Sequence, residues 1–162
     1  MLIANVSNAQ LDGQAVSKRY QPFQGEWRLV STENPESKRD EIPEIVVKVT
    51  GKQFELTGKG ITSKTPGRLE FRIPETKEDN PYRDLKKRGA ESLDDIVDVE
   101  NQIMVFWFVG IYRLKDDRLE LAVKYCGQGL EGIHFRNFRP PSSFDQKPTD
   151  GETRFILERK KN

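Results

Sequence analysis

The sequence is poor in the residues from which most catalytic and metal sites are built. Its 162 residues include a single cysteine, Cys126, and a single histidine, His134. One cysteine excludes an internal disulfide, and these two side chains alone cannot complete a tetrahedral zinc site. A nucleophilic Cys-His pair would also need an orienting third group, and no nucleophile signature surrounds Cys126. We therefore expect no catalytic residue, no metal and no cofactor, and hence no enzyme.

An excess of charge of either sign is also missing. Lys and Arg number 27 against 26 Asp and Glu, which leaves a formal net charge of +1. A bulk basic field that would attract nucleic acid is therefore absent. No apolar run approaches the roughly 20 residues that a membrane-spanning helix needs. The sequence thus predicts neither nucleic-acid binding nor membrane insertion.

Other site motifs are weak or absent. The carboxylates Asp94, Asp95, Asp98 and Glu100 alternate along a predicted strand, unlike the ligands of a calcium-binding loop. Neither a phosphate-binding Gly-rich loop nor a dinucleotide fingerprint is present.

The first 22 residues differ from the rest of the chain. They begin with a short apolar run that ends at Ser7, Asn8 and Ala9, a small-x-Ala pattern similar to a signal-peptidase site, although no Lys or Arg precedes it. We expect residues 1–22 to be a flexible leader or a signal remnant, and residues 23–162 to form one domain. The lone cysteine fits a reducing cytoplasm and an exported domain without disulfides equally well, so localisation stays open, with export to a periplasm or outside the cell slightly favoured over the cytoplasm.

Hydrophobic residues alternate with period two over most of the remaining chain, which predicts β-strands. The alternation is cleanest where Leu69, Phe71 and Ile73 are interleaved with charged residues. Turn residues such as Gly51 and Asp116 separate the strands. This pattern predicts an all-β, antiparallel barrel or sandwich of about eight to ten strands. One short helix is expected over residues 81–88, after Asn80.

Several segments together resemble a known family. Residues 23–27 contain the Gly-x-Trp signature, Gly25 and Trp27, that opens the first strand of lipocalins and other calycins. Together with further segments, this signature makes the chain resemble an uncharacterised planctomycete family of lipocalin-like domains. The further segments are residues 110–114, residues 119–121, the pair Arg139-Pro140 followed by Phe144, and the closing residues 155–159. The resemblance covers residues 23–160 and departs from the family in a longer, more charged insertion at 75–93. It implies a lipocalin-like β-barrel with no reaction attached.

Trp27 and Arg159 are predicted to close one end of the barrel. A large indole at the start of the first strand can plug the narrow end, and a guanidinium stacked on it adds a cation–π attraction. Arg159 shares a strand face with Phe155 and Leu157, so an inward Arg needs such a partner. We expect the first and last strands to pair and these two residues to meet; the alternative is a frayed C-terminal cation.

Residues 103–114 are apolar on both faces of one predicted strand. One face is assigned to the barrel interior together with residues of other strands, giving as lumen candidates Phe54, Phe71, Met104, Phe106, Phe108, Tyr112 and Leu121. So many bulky rings predict a small or divided cavity. The outward face consists of Ile103, Val105, Trp107, Val109 and Ile111. It is expected to be covered by the helix near 82–87, by the loop through Phe144, or by a second subunit in a homodimer, so Trp107 should be more than half buried. A bulge at Gly110 could exchange the two faces.

Two functions remain open at this point. The first is a binding module that holds a small apolar or amphipathic ligand in the barrel, with its mouth ringed by the charged residues 75–92. The second is an interaction or scaffold domain with a filled barrel, which recognises a protein through the Trp107 face or the loop at 139–144.

Overall fold

The computed structural model describes residues 16–35, 44–59, 69–74, 76, 102–105, 108–125, 141 and 143–161. These residues contain no α-helix; a single-turn 3₁₀ helix at Gln21–Phe23 precedes the first strand. They form eight strands: β1 (Gly25–Glu33), β2 (Ile45–Thr50), β3 (Gln53–Gly58), β4 (Leu69–Arg72), β5 (Gln102–Val105), β6 (Phe108–Lys115), β7 (Arg118–Tyr125) and β8 (Glu152–Arg159). The all-β prediction is confirmed. The predicted helix at 81–88 lies outside the described residues.

The strands form one antiparallel sheet that closes on itself. Each strand pairs with the next along the chain, and β8 returns to pair with β1. This arrangement leaves no unpaired edge on β1 or β8, the strands at which an open sheet would end. The first and last strands therefore meet as the sequence predicts.

Two tight turns mark one end of the barrel. Gly51 has φ +61° in the turn between β2 and β3, and Asp116 has φ +53° in the turn between β6 and β7. Each is the first residue of a two-residue connection, a position where paired strands favour positive φ. Trp27 and Arg159 lie at this end, which we call the closed end. The opposite end, where β1 ends at Glu33 and β8 begins at Glu152, is the far end.

The predicted strand at 103–114 is wrong: the structure has two strands there. Val105 pairs with Phe108 in an antiparallel register, so β6 runs back along β5. Because paired residues share a face of the sheet, odd-numbered positions face inward in β5 and even-numbered positions face inward in β6. Ile103, assigned to the outer face, is accordingly a core residue, 3% exposed.

The other residues of the predicted 103–114 strand lie in β5, in β6 or outside the described residues. Met104 pairs with Arg72, which is exposed, and its side chain lies outside the described residues. Phe106 and Trp107 also lie outside them, together with the predicted burial of Trp107. The pairing of β6 runs without a break through Gly110, so no bulge lies there. The register shift of the barrel is in β1, between Leu29 and Ser31.

A segment after β7 covers part of the outer face of the barrel. The Arg154 guanidinium donates hydrogen bonds to the backbone carbonyls of Phe144 (3.1 Å) and Ser143 (3.2 Å). The Arg113 guanidinium lies over the Phe144 ring at 4.8 Å. The loop through Phe144 is thus a cover for strands β6 to β8, one of the three covers that the sequence allowed.

Candidate ligand-binding cavity

Trp27 closes one end of the barrel interior. Its side chain is completely buried, and its indole Nε1–H donates to the Phe23 carbonyl oxygen at 2.8 Å. The Arg159 Cζ lies over the indole ring, 4.2 Å from its centroid. The indole can therefore contribute its full apolar surface to the interior, because its one polar group is satisfied and its outer face is covered by a cation.

Arg159 also ties the 3₁₀ helix to the sheet. Its two terminal nitrogens donate to the backbone carbonyls of Gln24 at 2.6 Å and Pro22 at 2.7 Å, and its Nε lies 3.3 Å from an Asp117 carboxylate oxygen. The planar guanidinium suits this task because its donors are held in a rigid fork. Arg159 is thus a fixed part of the closed end rather than a frayed cation.

Two residues that the sequence analysis missed complete the closed end. The Tyr20 hydroxyl accepts a hydrogen bond from the Ile73 N–H at 3.1 Å. The Gln24 carboxamide accepts from the Gly51 N–H at 2.7 Å and donates to the Gly51 carbonyl at 3.0 Å. Tyr20 belongs to the core, so the packing of the barrel extends into residues 1–22, which the sequence analysis assigned to a flexible leader or a signal remnant. Two aromatic residues directly before the Gly-x-Trp pattern were the available signal.

Above Trp27 the barrel encloses a cavity of about 320 Å³. Every described side chain on its wall is apolar. One of these residues belongs to the 3₁₀ helix, and the others come from all eight strands. The lining residues are Phe23, Trp27, Leu29, Ile45, Val47, Val49, Phe54, Leu56, Phe71, Ile103, Phe108, Leu119, Leu121, Val123, Phe155 and Leu157. The volume lies at the lower end of the range for small-molecule sites, about 300–1,000 Å³.

Four of the seven predicted lumen residues line this cavity: Phe54, Phe71, Phe108 and Leu121. Tyr112 packs edge-on against Phe23, with ring centroids 5.2 Å apart, and does not line it. Met104 and Phe106 are not described at the level of side chains. The sequence analysis missed most of the aliphatic wall, including Val47 and Leu157, although their strands show the same alternation.

Polar side chains lie beyond the cavity toward the far end. Tyr125 is 55% exposed and packs edge-on against Phe108, with ring centroids 5.3 Å apart. The Asn34 Nδ2 donates to the Thr153 hydroxyl at 3.1 Å. The connection that contains the charged residues 75–92 leaves β4 and returns to β5 at the closed end. The expectation that these residues ring the mouth falls, apart from residue 76, outside the described residues.

Charged groups of β7 face outward. Burial alone would raise the pKa of Glu120, but its hydrogen bonds to Arg113 and Arg118 outweigh this and lower its pKa below the ordinary value. Burial lowers the pKa of Lys124, against the opposing charges of Glu152 and Asp150. Glu120 and Lys124 alternate with Leu121 and Val123, which line the cavity. These charges therefore belong to the outer surface.

Within the described part of the chain, no group of three or more His, Cys, Asp or Glu side chains could hold a metal ion. Cys126, His134 and the carboxylates at 94–100 lie outside that part. No helix among the described residues is long and apolar enough to cross a membrane. No family model, curated protein or solved structure matches the chain, so the cavity itself is the guide to function.

Proposed function

We propose that this chain is a non-catalytic, lipocalin-like domain that binds a small apolar or amphipathic molecule inside its barrel. The observation that carries the proposal is the cavity of about 320 Å³ above Trp27, whose described lining residues are all apolar. Apolar cavities of this kind do not hold water well and take up apolar molecules instead.

The size of the cavity limits the ligand. With about 30 Å³ for each water-sized group, 320 Å³ accommodates roughly ten such groups. A ligand of this size, such as a short alkyl chain or one or two fused aromatic rings, would replace empty space by dispersion contacts with the wall. Its affinity would come mainly from the apolar area that it removes from water.

The alternative of a scaffold with a filled barrel has less support. A filled barrel needs side chains that meet across the interior at the packing density of a protein core. The aromatic contacts among Phe23, Phe54 and Phe71 fill the interior only near the closed end. A cavity of about 320 Å³, lined by residues that include Leu56 and Phe155, remains.

Titration with 1-naphthylamine, a neutral fluorophore comparable in size to the cavity, tests the proposal. The emission should shift to the blue and increase on binding. Leu56→Trp adds a bulky group to the cavity wall and should weaken binding by about ten-fold or more, at a cost of about 1–3 kcal/mol in stability from overpacking. Thr57→Trp places the same group on the next residue of β3, which is exposed, and should leave the affinity unchanged.

A second variant separates occlusion from misfolding. Leu56→Ala enlarges the cavity and should retain the fluorophore while admitting a larger one, such as N-phenyl-1-naphthylamine, more tightly than wild type does. Circular dichroism checks that each variant is folded. Unchanged emission with the folded wild-type protein, or equal binding by Leu56→Trp and Thr57→Trp, would contradict the proposal.

A further inference from the structure

The irregularity in β1 controls which side chains reach the inside of the barrel near the far end. Leu29 pairs with Leu157, whereas Ser31 pairs with Ile156, so one extra residue of β1 is accommodated between them. Such a bulge exchanges the faces of all positions that follow it. Thr32 consequently pairs with Phe155, and Glu33 pairs with Arg154.

The exchange removes a carboxylate from the inner face. Regular alternation from Trp27 and Leu29 would continue inward to Ser31 and Glu33. With the bulge, Thr32 shares its face with Phe155, which lines the cavity, and exposed Glu33 shares the outer face with Arg154. A hydroxyl thus replaces a negative charge directly above the cavity.

A second hydroxyl lies on the neighbouring strand. Thr153 precedes Phe155 by two residues in β8 and pairs with Val123 of β7. Phe155 and Val123 both line the cavity. Thr153 therefore faces inward as the diagonal neighbour of Thr32, which lies opposite Phe155, and is one step nearer the far end. Its hydroxyl accepts a hydrogen bond from the Asn34 carboxamide. In the described parts of β1 and β8, the inner face changes from apolar residues to two hydroxyls as it leaves the cavity.

We propose that the ligand is an uncharged amphiphile whose alcohol or carbonyl head lies between Thr32 and Thr153 while its apolar body fills the cavity. This inference rests on the proposed function. Threonine hydroxyls can donate to or accept from a neutral head, since each has one proton and two lone pairs. Neither threonine carries a charge, and a carboxylate or ammonium head desolvated beside them without a partner of opposite charge loses far more than such hydrogen bonds return.

Four molecules with one body and different heads test the inference: butylbenzene, 4-phenyl-1-butanol, 4-phenylbutyrate and 4-phenylbutylammonium, each in competition with 1-naphthylamine at neutral pH. The alcohol should compete best, by about three- to ten-fold over butylbenzene, as expected for one or two neutral hydrogen bonds. The two ions should be weaker than the alcohol by about ten-fold or more.

Variants of Thr153 and Thr32 test whether these residues cause the preference for the alcohol. Thr153→Val keeps the shape of the side chain and removes its hydroxyl, so it should weaken the alcohol by about three-fold and leave butylbenzene unchanged. Thr32→Val removes the corresponding hydroxyl on β1 and should have the same effect. Thr57→Val is the matched control, because Thr57 is exposed on β3 and its hydroxyl bonds the Val46 carbonyl.

The outcomes separate this inference from the proposed function. Two results would overturn the neutral-head inference while the cavity still binds 1-naphthylamine. One is best competition by 4-phenylbutyrate or 4-phenylbutylammonium. The other is equal affinity for the alcohol and butylbenzene in wild type and in both valine variants. Failure of 1-naphthylamine itself to bind would overturn the proposed function.

Discussion

Arg159 lies directly opposite Trp27 in the pairing of the last strand with the first, and its guanidinium covers the indole at 4.2 Å. One pair of residues thereby joins the two ends of the sheet and closes one end of the cavity. Stability of the barrel and the shape of its cavity consequently depend on the same contact.

Trp27→Ala should lower the free energy of unfolding by about 3–5 kcal/mol, because it removes a completely buried aromatic side chain and leaves a cavity behind. Urea denaturation followed by circular dichroism measures the loss. Tyr125→Ala deletes an exposed aromatic residue and should cost about 1 kcal/mol, the value of its ring contact with Phe108. Equal losses for the two variants would show that Trp27 is not a principal core residue.

Arg159→Lys should destabilise the protein by about 1–3 kcal/mol although the charge is retained. An ammonium cannot donate to the Gln24 and Pro22 carbonyls in the forked geometry of a guanidinium while covering the indole. Arg28→Lys is the control, since Arg28 is an exposed residue 3.8 Å from Glu158 and should change stability by less than about 0.5 kcal/mol. If Arg159→Lys behaves like Arg28→Lys, charge alone explains the role of Arg159.

Gln24→Glu should cost about 2 kcal/mol at neutral pH, because a carboxylate can still accept from the Gly51 N–H but cannot donate to the carbonyls of Gly51 and Tyr20. Thermal unfolding reports the change. The control is Gln53→Glu, which introduces the same charge at an exposed position beside the same turn. A neutral outcome for Gln24→Glu would mean that the β2–β3 turn does not depend on this amide.

The ion pairs of Glu120 should make the free energy of unfolding depend on pH. Its pKa is lowered in the folded protein, below the ordinary 4.5, despite the opposing effect of burial, because Arg113 and Arg118 bond the charged form. The carboxylate therefore stabilises the fold at pH values above its ordinary pKa, and this contribution is lost as the pH falls through the lower folded pKa. Glu120→Gln should thus be less stable than wild type at neutral pH, by no more than about 1 kcal/mol because both arginines are largely exposed.

Unfolding curves of wild type and Glu120→Gln across the acidic range measure this effect. The difference in stability should shrink toward zero as Glu120 becomes protonated. A difference that stays constant from neutral to strongly acidic pH would exclude the ion pairs as its cause.

The sequence predicted the parts of the fold that depend on regular alternation and on rare residue types. Trp27 and Arg159 could be placed together because an indole at the start of the first strand and an inward Arg on the last one have few other partners. The lumen positions Phe54, Phe71 and Leu121 followed from period two in single strands. Each inference required only local pattern and the assumption that the sheet closes.

Features without a local signal were missed. Strands β5 and β6 are joined by residues 106 and 107, neither of which is a typical turn former, so the apolar run appeared to be one strand and Ile103 was placed on the wrong face. The bulge after Leu29 is hidden because Ser31 and Thr32 are both polar and either could face inward. Tyr20 and Gln24 act on residues far along the chain, which alternation cannot reveal.

Pairing of β1 with β8 also determines when the barrel can be completed. Arg159 and Gln24, bonded across this seam, are 135 positions apart in the chain. Such separation makes closure entropically costly, so we expect the β1–β8 pairing to form late in folding. Until β8 docks, β1 and β7 each present a free edge to other chains. The period before docking is therefore the interval in which this chain is most prone to aggregate, and substitutions along the seam should reduce the yield of folded protein more than equally destabilising ones in the β2–β3 hairpin.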